Sequence, residues 1–254
     1  MSESFSASEL TQFQSQGFLI ARQMVDADVC HRLLDVTMQQ LEEVVGPVEL
    51  EADVQYPGAP QSKDSQGGET VRRLKNAVSR HPAFMDWLTH PKLISRIQQL
   101  LGQPVVCPLA HHNCVMTKQP EFSSSTGWHQ DIRYWSFQRQ DLISVWLPLG
   151  QETPENGCLR VIPGSHNFDY VQEQFDEHKF FREDLLDNQA AIDSACNVEL
   201  SPGDVLFFHS RTLHAAGRNT TNKTKYAVVF TVRPNDNPPL PGSRSASMPE
   251  LVIH

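Results

Sequence analysis

The sequence has no run of apolar residues that approaches the roughly 20 that a membrane-spanning helix requires. Its first residues contain no basic segment followed by an apolar one, so no secretory signal is predicted. Basic residues are also few: 21 Lys and Arg stand against 30 Asp and Glu, and the net charge of -9 opposes binding to phosphate backbones. We therefore expect a soluble, cytoplasmic protein with neither a membrane nor a nucleic-acid partner.

Cysteine is scarce and irregularly spaced. The chain has five cysteines, an odd number, and no C-x-x-C pair. A disulfide framework needs paired cysteines, and a structural zinc site needs ligands at close spacing, so neither is predicted. We interpret the cysteines as reduced thiols of an intracellular protein.

The helical patterns lie in the first 104 residues. Ser6 to Gln16 has helical composition, apolar residues recur at helical spacing from Val29 to Val45, and a further helical region runs from Pro82 to Leu101. A short apolar strand, Phe18 to Ala21, follows the first helix.

Residues 47–68 have the composition of a loop, rich in Gly, Pro and Ser. Loops of this length are usually functional or disordered. We expect residues 49–68 to form a lid that closes over a binding site.

From Val105 onward the texture changes to short β-type runs separated by turn residues. Helices first and many short strands afterwards predict a β-sandwich or barrel braced by helices. A length of 254 residues suits one domain. We divide it into a helical support with the lid loop (1–104), a β core (105–233) and an extended tail (234–254).

Two short segments carry candidate metal ligands. Thr126 to Asp131 contains the only His-x-Asp of the chain, and on a strand His129 and Asp131 would point to the same face. His214 follows a later apolar strand. Two imidazoles and one carboxylate that leave coordination positions open are typical of non-haem Fe(II) oxygenases. His111, His112 and His209 are rival ligands, although two adjacent histidines cannot both face one side of a strand.

These motifs, with others at matching spacing, closely resemble the phytanoyl-CoA dioxygenase family over roughly residues 8 to 233. The resemblance rests on His129-Gln130-Asp131, Trp146, Glu155-Asn156-Gly157-Cys158-Leu159, Ile162-Pro163-Gly164-Ser165-His166, and His214 followed by Asn219.

The resemblance implies a mainly β fold with bracing helices, a double-stranded β-helix or cupin-like jelly roll. It further implies Fe(II) held by His129, Asp131 and His214, with 2-oxoglutarate as co-substrate. Family members usually place an arginine eleven residues after the second histidine to bind the far carboxylate of 2-oxoglutarate, but this chain has Lys225 there. A lysine keeps the charge and loses the bidentate geometry. The alternative is a solvated lysine at the start of a strand.

Three further residues are assigned to co-substrate binding. Trp146 and Cys114 occupy positions at which family members contact the co-substrate, although a tryptophan or cysteine in an apolar strand is often only part of the core. Gln130 lies between two ligands, and on a strand it would face away from them and support them through a hydrogen bond.

Four basic residues are candidates for substrate binding. Arg160 lies inside an apolar run, where an arginine is costly to bury without an anionic partner, or it reaches solvent from an edge strand. Arg133 follows the metal motif and could reach the mouth of the pocket. Arg73 and Lys75, together with Arg72, form a basic group after the long loop; such a group is often only a solvated face.

The sequence therefore predicts an oxygenase that uses Fe(II), 2-oxoglutarate and O2 to hydroxylate a small organic metabolite, releasing succinate and CO2. The alternative is a cupin-like protein that binds a metal and a small ligand without turning it over.

Overall fold

The computed structural model describes residues 4–102 and 104–254; the first three residues, part of the stretch in which no secretory signal is predicted, lie outside them. The α-helices of the described residues are α1 (Ala7–Gln16), α2 (Ala27–Glu42), α3 (Ala77–Arg80), α4 (Pro82–Leu88), α5 (Pro91–Leu101) and α6 (Leu186–Asp193). The β-strands are β1 (Phe18–Ala21), β2 (Val48–Leu50), β3 (Val71–Lys75), β4 (Val105–Pro108), β5 (Asn113–Lys118), β6 (Thr126–His129), β7 (Ile143–Pro148), β8 (Leu159–Val161), β9 (Cys196–Val198), β10 (Val205–His209), β11 (His214–Ala216), β12 (Lys225–Pro234) and β13 (Glu250–Ile253).

The first helix begins and ends where local chemistry predicts. Ser6 caps α1 and accepts a hydrogen bond from the Glu9 amide, while the Glu9 carboxylate accepts one from the Ser6 amide. Gly17 ends the helix in the left-handed conformation (φ 78°) that glycine adopts without strain. The chain then enters β1 with the predicted bounds.

The helical region predicted from Pro82 to Leu101 is two helices. α4 ends at Leu88 and α5 begins at Pro91, with His90 as its N-cap. Proline has no amide hydrogen and its ring clashes with the preceding turn, so it is accommodated at the start of a helix and not inside one. Pro91 therefore divides the region.

Two antiparallel sheets face each other. The larger sheet has the order β1-β10-β7-β12-β5-β3-β2, and β4 pairs with the end of β12 and with β13. The smaller sheet has the order β6-β11-β8-β9. This arrangement is a double-stranded β-helix, as predicted.

Both faces of the larger sheet are covered. Alternate residues of its central strands, such as Trp146, Phe208 and Val229, face the smaller sheet and pack against its Leu159 and Val161. The intervening residues pack against the helices on the other side; they include Val145, Phe207 and Phe230. Burial on both faces explains why these strands are almost continuously apolar in the sequence.

The division of the chain at residues 104 and 234 needs correction. β1, β2 and β3 join the larger sheet, so residues 1–104 supply strands as well as helices. The tail returns as β13, which pairs with β4, and the Arg233 Nε donates to the Glu250 carboxylate over 2.9 Å. Short strands at sheet edges have weak sequence signatures, because their pairing is set by distant partners. No helix of the described residues is long and apolar enough to cross a membrane.

Candidate metal centre

The register between β6 and β11 places two histidines side by side. His129 and His214 are directly opposite each other in this antiparallel pair, so both side chains point to the same face. Their ring centroids are 4.1 Å apart. Two residues 85 positions apart in the chain are thereby fixed within reach of one ion.

Asp131 joins them from a different kind of element than predicted. β6 ends at His129, and Asp131 opens a 3-10 helix, Asp131–Tyr134, so the prediction that both lie on one strand is wrong. The Ser144 hydroxyl donates to Asp131 Oδ2 over 2.7 Å, and the Ile132 amide donates to the Ser210 carbonyl over 3.1 Å. These hydrogen bonds orient the carboxylate toward the two rings.

The three potential ligand atoms converge. Asp131 Oδ1 lies 3.6 Å from His214 Nε2 and 3.9 Å from His129 Nε2. The Nδ1 atoms of both rings lie 2.9 Å from backbone carbonyl oxygens, those of Gly127 and Thr212. Because a carbonyl only accepts, each Nδ1 must carry the proton, and each Nε2 presents its lone pair to the space between the residues.

The charge states favour metal binding. Burial, together with the neighbouring His214 ring, holds the pKa of His129 well below its usual value, so its imidazole is neutral. Burial opposes ionisation of Asp131, but His112, His214 and the Ser144 hydrogen bond favour the carboxylate, and the net result is a lowered pKa. Neutral imidazoles and an ionised carboxylate are the forms that bind metal ions.

The site fits a divalent metal held on one face. Among the described residues, His129, Asp131 and His214 are the group of three potential ligands whose atoms all lie within 4.8 Å of one another. Two nitrogen donors and one oxygen donor are the set found in non-haem Fe(II) sites. The remaining positions of the ion would face open space.

An inner chamber adjoins the three ligands and contains the predicted anchor. Lys225 and Trp146 line it, with Leu159 and Phe208 among its apolar walls. Lys225 is 5% exposed, which excludes the solvated alternative. Its Nζ lies 3.2 Å from Glu152 Oε2 and 5.0 Å from the centre of the Trp146 ring. The Trp146 indole donates to the other Glu152 oxygen over 2.8 Å.

An outer chamber of about 400 Å3 lies on the other side of the ligands. His129 and Asp131 are part of its wall, and so are four of the predicted residues: Arg73, Lys75, Cys114 and Arg133. Cys114 is buried on β5, and its thiol contacts Met116. Tyr56, from the segment predicted to be a lid, also faces this chamber; closure of that segment stays a prediction.

Two predicted residues lie elsewhere. Gln130 lines neither chamber and donates to the Arg211 carbonyl over 2.6 Å, so it supports the turn before His214, as its alternation suggested, and does not contact the co-substrate space. Arg160 is exposed on the outer face of β8, above the Trp128 ring, because Leu159 and Val161 are the residues that face inward. Arg160 therefore lines neither chamber, and its position does not support the assignment to substrate binding.

Several residues of the site were not identified from the sequence. Lys118 and Glu51 line the inner chamber, and Glu152 pairs with Lys225 there. Arg72, predicted only as part of the basic group after the long loop, lines this chamber too. His112, considered as a rival ligand, places Nδ1 3.6 Å from Asp131 Oδ2, on the side away from the other two rings. Lys118 is opposite Lys225 in the β5–β12 pair, a register that no local pattern specifies.

A β-bulge brings Arg72 and Arg73 to the same space. On β2, Glu49 pairs with Arg73 and the next residue, Leu50, pairs with Val71, which leaves Arg72 as the extra residue. Without the bulge, consecutive side chains would point to opposite faces. With it, both arginines line both chambers.

Comparison with protein families finds one match, to the model described as phytanoyl-CoA dioxygenase, over residues 13–227. Similar curated proteins include a probable phytanoyl-CoA dioxygenase of Caenorhabditis elegans, 23% identical over 88% of this chain and 73% of that protein. The peroxisomal phytanoyl-CoA dioxygenase of Homo sapiens is 24% identical over 85% of this chain, which spans 64% of the human protein.

Solved structures share the fold at low identity. EctD from S. alaskensis with 2-oxoglutarate and 5-hydroxyectoine matches with a TM-score of 0.75 at 19% identity, over 96% of this chain and 82% of that chain. The epimerase SnoN in complex with Fe3+, alpha ketoglutarate and nogalamycin RO matches with a TM-score of 0.73 at 18% identity, over 92% and 85% of the two chains. These similarities confirm the predicted jelly-roll fold.

The geometry predicts a graded loss of metal binding. Replacing His129, Asp131 or His214 by Ala removes a ligand, and we expect Co(II) affinity to fall by more than about 100-fold in each variant. Ser144→Ala only releases the carboxylate that it orients, and we expect a loss of about 10-fold to 100-fold. The measurement is a Co(II) absorbance titration of folded protein.

His178→Ala serves as the matched control for nonspecific binding to histidine, because His178 is exposed and outside the three-residue group. Wild-type Co(II) affinity in any of the three ligand variants would remove that residue from the site.

Proposed function

Because the chain belongs to the phytanoyl-CoA dioxygenase family, as its motifs predicted, we propose that it is an Fe(II)- and 2-oxoglutarate-dependent oxygenase acting on a small molecule. The observation that carries the proposal is the convergence of His129, Asp131 and His214 on one point in the wall between two chambers. One chamber would receive the co-substrate and the other the substrate.

The three residues would hold iron, and the protein supplies their geometry. When bound, the iron supplies the redox chemistry that couples O2 to decarboxylation of 2-oxoglutarate and oxidation of the substrate. His129 and His214 are held in the tautomer that presents Nε2, and Ser144 fixes Asp131. The structures of similar fold that contain Fe3+ or 2-oxoglutarate support this choice of metal and co-substrate.

The inner chamber suits the far carboxylate of 2-oxoglutarate. Lys225 and Lys118 are cross-strand neighbours, so both side chains lie on the same face of the sheet. Lys225 is already paired with Glu152, whereas the Lys118 Nζ donates to the Ser124 carbonyl over 2.7 Å and has no carboxylate within 4.0 Å among the described residues. We therefore assign both lysines to the anchor, in place of the single arginine usual in the family.

The balance of charge supports this assignment. Around the inner chamber four cations, Arg72, Arg73, Lys118 and Lys225, stand against three carboxylates, Glu49, Glu51 and Glu152. One positive charge is in excess, and a divalent metal on Asp131 would add another. A dianion such as 2-oxoglutarate compensates both, which a buried site requires.

Hydroxylation is the reaction that we propose. Enzymes of this fold with other outcomes exist, since SnoN is an epimerase, and the resemblance associates halogenation with loss of the carboxylate ligand, which this chain retains as Asp131. A cytoplasmic location also stays a prediction. The alternative, a binding protein without turnover, is separated from an oxygenase by the first test below.

We predict slow, Fe(II)-dependent formation of succinate from 2-oxoglutarate and O2 without any added substrate. The carboxylate and two imidazoles complete the ligand set, and oxygenases usually show such uncoupled turnover. The measurement is succinate produced with Fe(II), with chelator, and by the His129→Ala variant as control. Tight binding of Fe(II) and 2-oxoglutarate without succinate above the variant's background would favour the binding protein.

A second test concerns Lys225. Loss of the charge partner of a desolvated carboxylate costs about 2–5 kcal/mol, so the Lys225→Met variant should bind 2-oxoglutarate about 30-fold or more weakly. The single variant leaves the Glu152 carboxylate buried without a cation, which destabilises the fold. The double variant Lys225→Met/Glu152→Gln removes both charges, and it is the variant in which 2-oxoglutarate affinity is compared with that of the wild type. The Lys225→Arg variant keeps the positive charge, so its loss of 2-oxoglutarate affinity should be smaller. The measurement is an anaerobic titration of the Fe(II) charge-transfer band.

Lys223→Met is the control for this series, since Lys223 is exposed and two residues from the anchor. An unchanged dissociation constant in the double variant, with Lys223→Met also unchanged, would show that Lys225 is not the anchor.

A third test uses pH. Burial, then the charges of Lys225 and Arg72, lower the pKa of Lys118 to about 7 against the opposing effect of Glu51 and Glu152. A bound carboxylate favours the charged ammonium and raises this pKa. Below about pH 7 Lys118 is already charged in the free protein. Above about pH 7 it is neutral there, and binding of 2-oxoglutarate must be accompanied by uptake of a proton. We therefore expect 2-oxoglutarate affinity to fall as pH rises above about 7.

Calorimetric titration of 2-oxoglutarate in buffers of different ionisation enthalpy measures the proton uptake directly. Lys118→Met should weaken binding below pH 7 and abolish the uptake. Uptake of the same size in Lys118→Met and wild type would assign the titration to another group.

A further inference from the structure

The outer chamber is cationic although the protein is acidic. Arg73, Lys75, Arg133 and Arg244 line it together with Arg72, and its carboxylates are Glu49 and Asp131. Glu49 is shared by Arg72 and Arg73, at 2.8 and 3.3 Å, and Asp131 is a predicted metal ligand. In a chain of net charge -9, such a local excess of positive charge attracts anions to the chamber.

Arg133 is held rigidly at the chamber wall with its charge uncompensated. Its guanidinium lies 4.2 Å from the centre of the Phe180 ring and 4.8 Å from that of Tyr134, and Nη2 donates to the Tyr56 hydroxyl over 3.2 Å. In the part of the chain that the structure describes, no carboxylate lies within 4.0 Å of it. Stacking and hydrogen bonds to two neutral acceptors, the Tyr56 hydroxyl and the His178 carbonyl, orient this arginine but do not neutralise it.

Arg73 has donors without acceptors. Within residues 4–102 and 104–254 its side chain donates no hydrogen bond, and its buried Nε lacks a hydrogen-bond partner although Glu49 is nearby. A guanidinium offers five N–H donors in a fixed fork that matches carboxylate and phosphate oxygens. Unfilled donors at the wall of a chamber indicate a ligand that supplies the acceptors.

The chamber also lacks the surface that a long acyl chain would need. Its lining is mainly polar, and its aromatic members all carry polar groups: Tyr56, Tyr134, Trp135 and His111. The apolar walls, such as Leu159, Phe208 and Val229, belong to the inner chamber that the co-substrate would occupy. A long apolar acyl chain is therefore a poor match to the outer chamber.

We propose that the outer chamber binds the substrate by an oxyanion group, a carboxylate or phosphate, held between Arg73 and Arg133, so that the substrate is a compact anionic metabolite. The proposal rests on the proposed function, because the same chamber opens onto His129 and Asp131. Tyr56 is a positioning residue, since its hydroxyl holds Arg133 and its ring lies 5.1 Å from the Arg72 guanidinium.

Inorganic phosphate is the probe, and calorimetry of the protein as purified is the first arm. We expect saturable binding that falls about tenfold or more in Arg73→Gln and in Arg133→Gln, because each removes a charge-assisted hydrogen bond. Tyr56→Phe should weaken binding less. Arg160→Gln, which removes the same charge from the outer face of β8, should bind as the wild type does. Acetate in place of phosphate distinguishes a carboxylate site from a phosphate site.

The second arm places the anion. With Mn(II) at the three ligands and saturating 2-oxoglutarate, bound phosphate in the outer chamber should show enhanced 31P relaxation, and both arginine variants should lose the enhancement. Binding that Lys225→Met removes and the arginine variants leave unchanged would put the anion in the inner chamber and overturn the proposal. The proposal would also be overturned by an equal loss of anion binding in Arg160→Gln, or by the absence of saturable binding of both phosphate and acetate.

The two proposals fail separately. A wild-type protein that binds phosphate through Arg73 and Arg133 but does not bind 2-oxoglutarate would contradict the oxygenase and support the anion site. A wild-type protein that turns over 2-oxoglutarate, with both arginine variants binding phosphate and acetate normally, would support the oxygenase and contradict the anion site.

Discussion

The site depends above all on the backbone pairing of β6 with β11. That register sets His129 opposite His214, and a slip of one residue would turn one ring to the other face of the sheet. β11 is held on its other side by β8, whose Val161 is opposite His214, so the position of the second histidine is fixed from both edges. The Nδ1–H groups then bind backbone carbonyls, and the ligand nitrogens are oriented by the same strands that place them.

Local patterns in the sequence predict helices and buried strands, but they do not predict contacts that depend on the register between strands. The capped helix α1, the strand β1 and the apolar strands of the larger sheet follow from composition and periodicity, because both faces of that sheet are buried. The short strands β2, β9 and β11 do not, since three residues carry too little pattern. The three candidate metal ligands could be predicted because they lie in recognisable sequence motifs. Lys118 and Glu152 were not, because what makes them part of the site is a cross-strand pair and a buried ion pair.

The interpretation of Arg160 depends on alternation along its strand. Alternation correctly separates the two faces of a strand, but the sequence of β8 does not say which face is interior. Leu159 and Val161 face the chamber, and the arginine between them lies outside on Trp128. For Asp131 the assumption of a continuous strand failed, because the chain leaves β6 at His129 and turns into a 3-10 helix. Its carboxylate still reaches the rings, because Ser144 from the facing sheet donates a hydrogen bond that holds it in place.

Lysine at position 225 is consistent with its surroundings once the whole chamber is considered. A buried arginine would present a planar fork that competes for the space of the Trp146 ring and Glu152, whereas an ammonium is a compact charge that binds one Glu152 oxygen while the indole binds the other. Because Glu152 shares the charge of Lys225, a co-substrate carboxylate needs a further cation, and Lys118 lies directly opposite with no carboxylate of the described residues within ion-pair distance. In the proposed anchor two lysines on two strands share the role, and it would be sensitive to pH because burial and the charge of Lys225 lower the pKa of Lys118 to about 7.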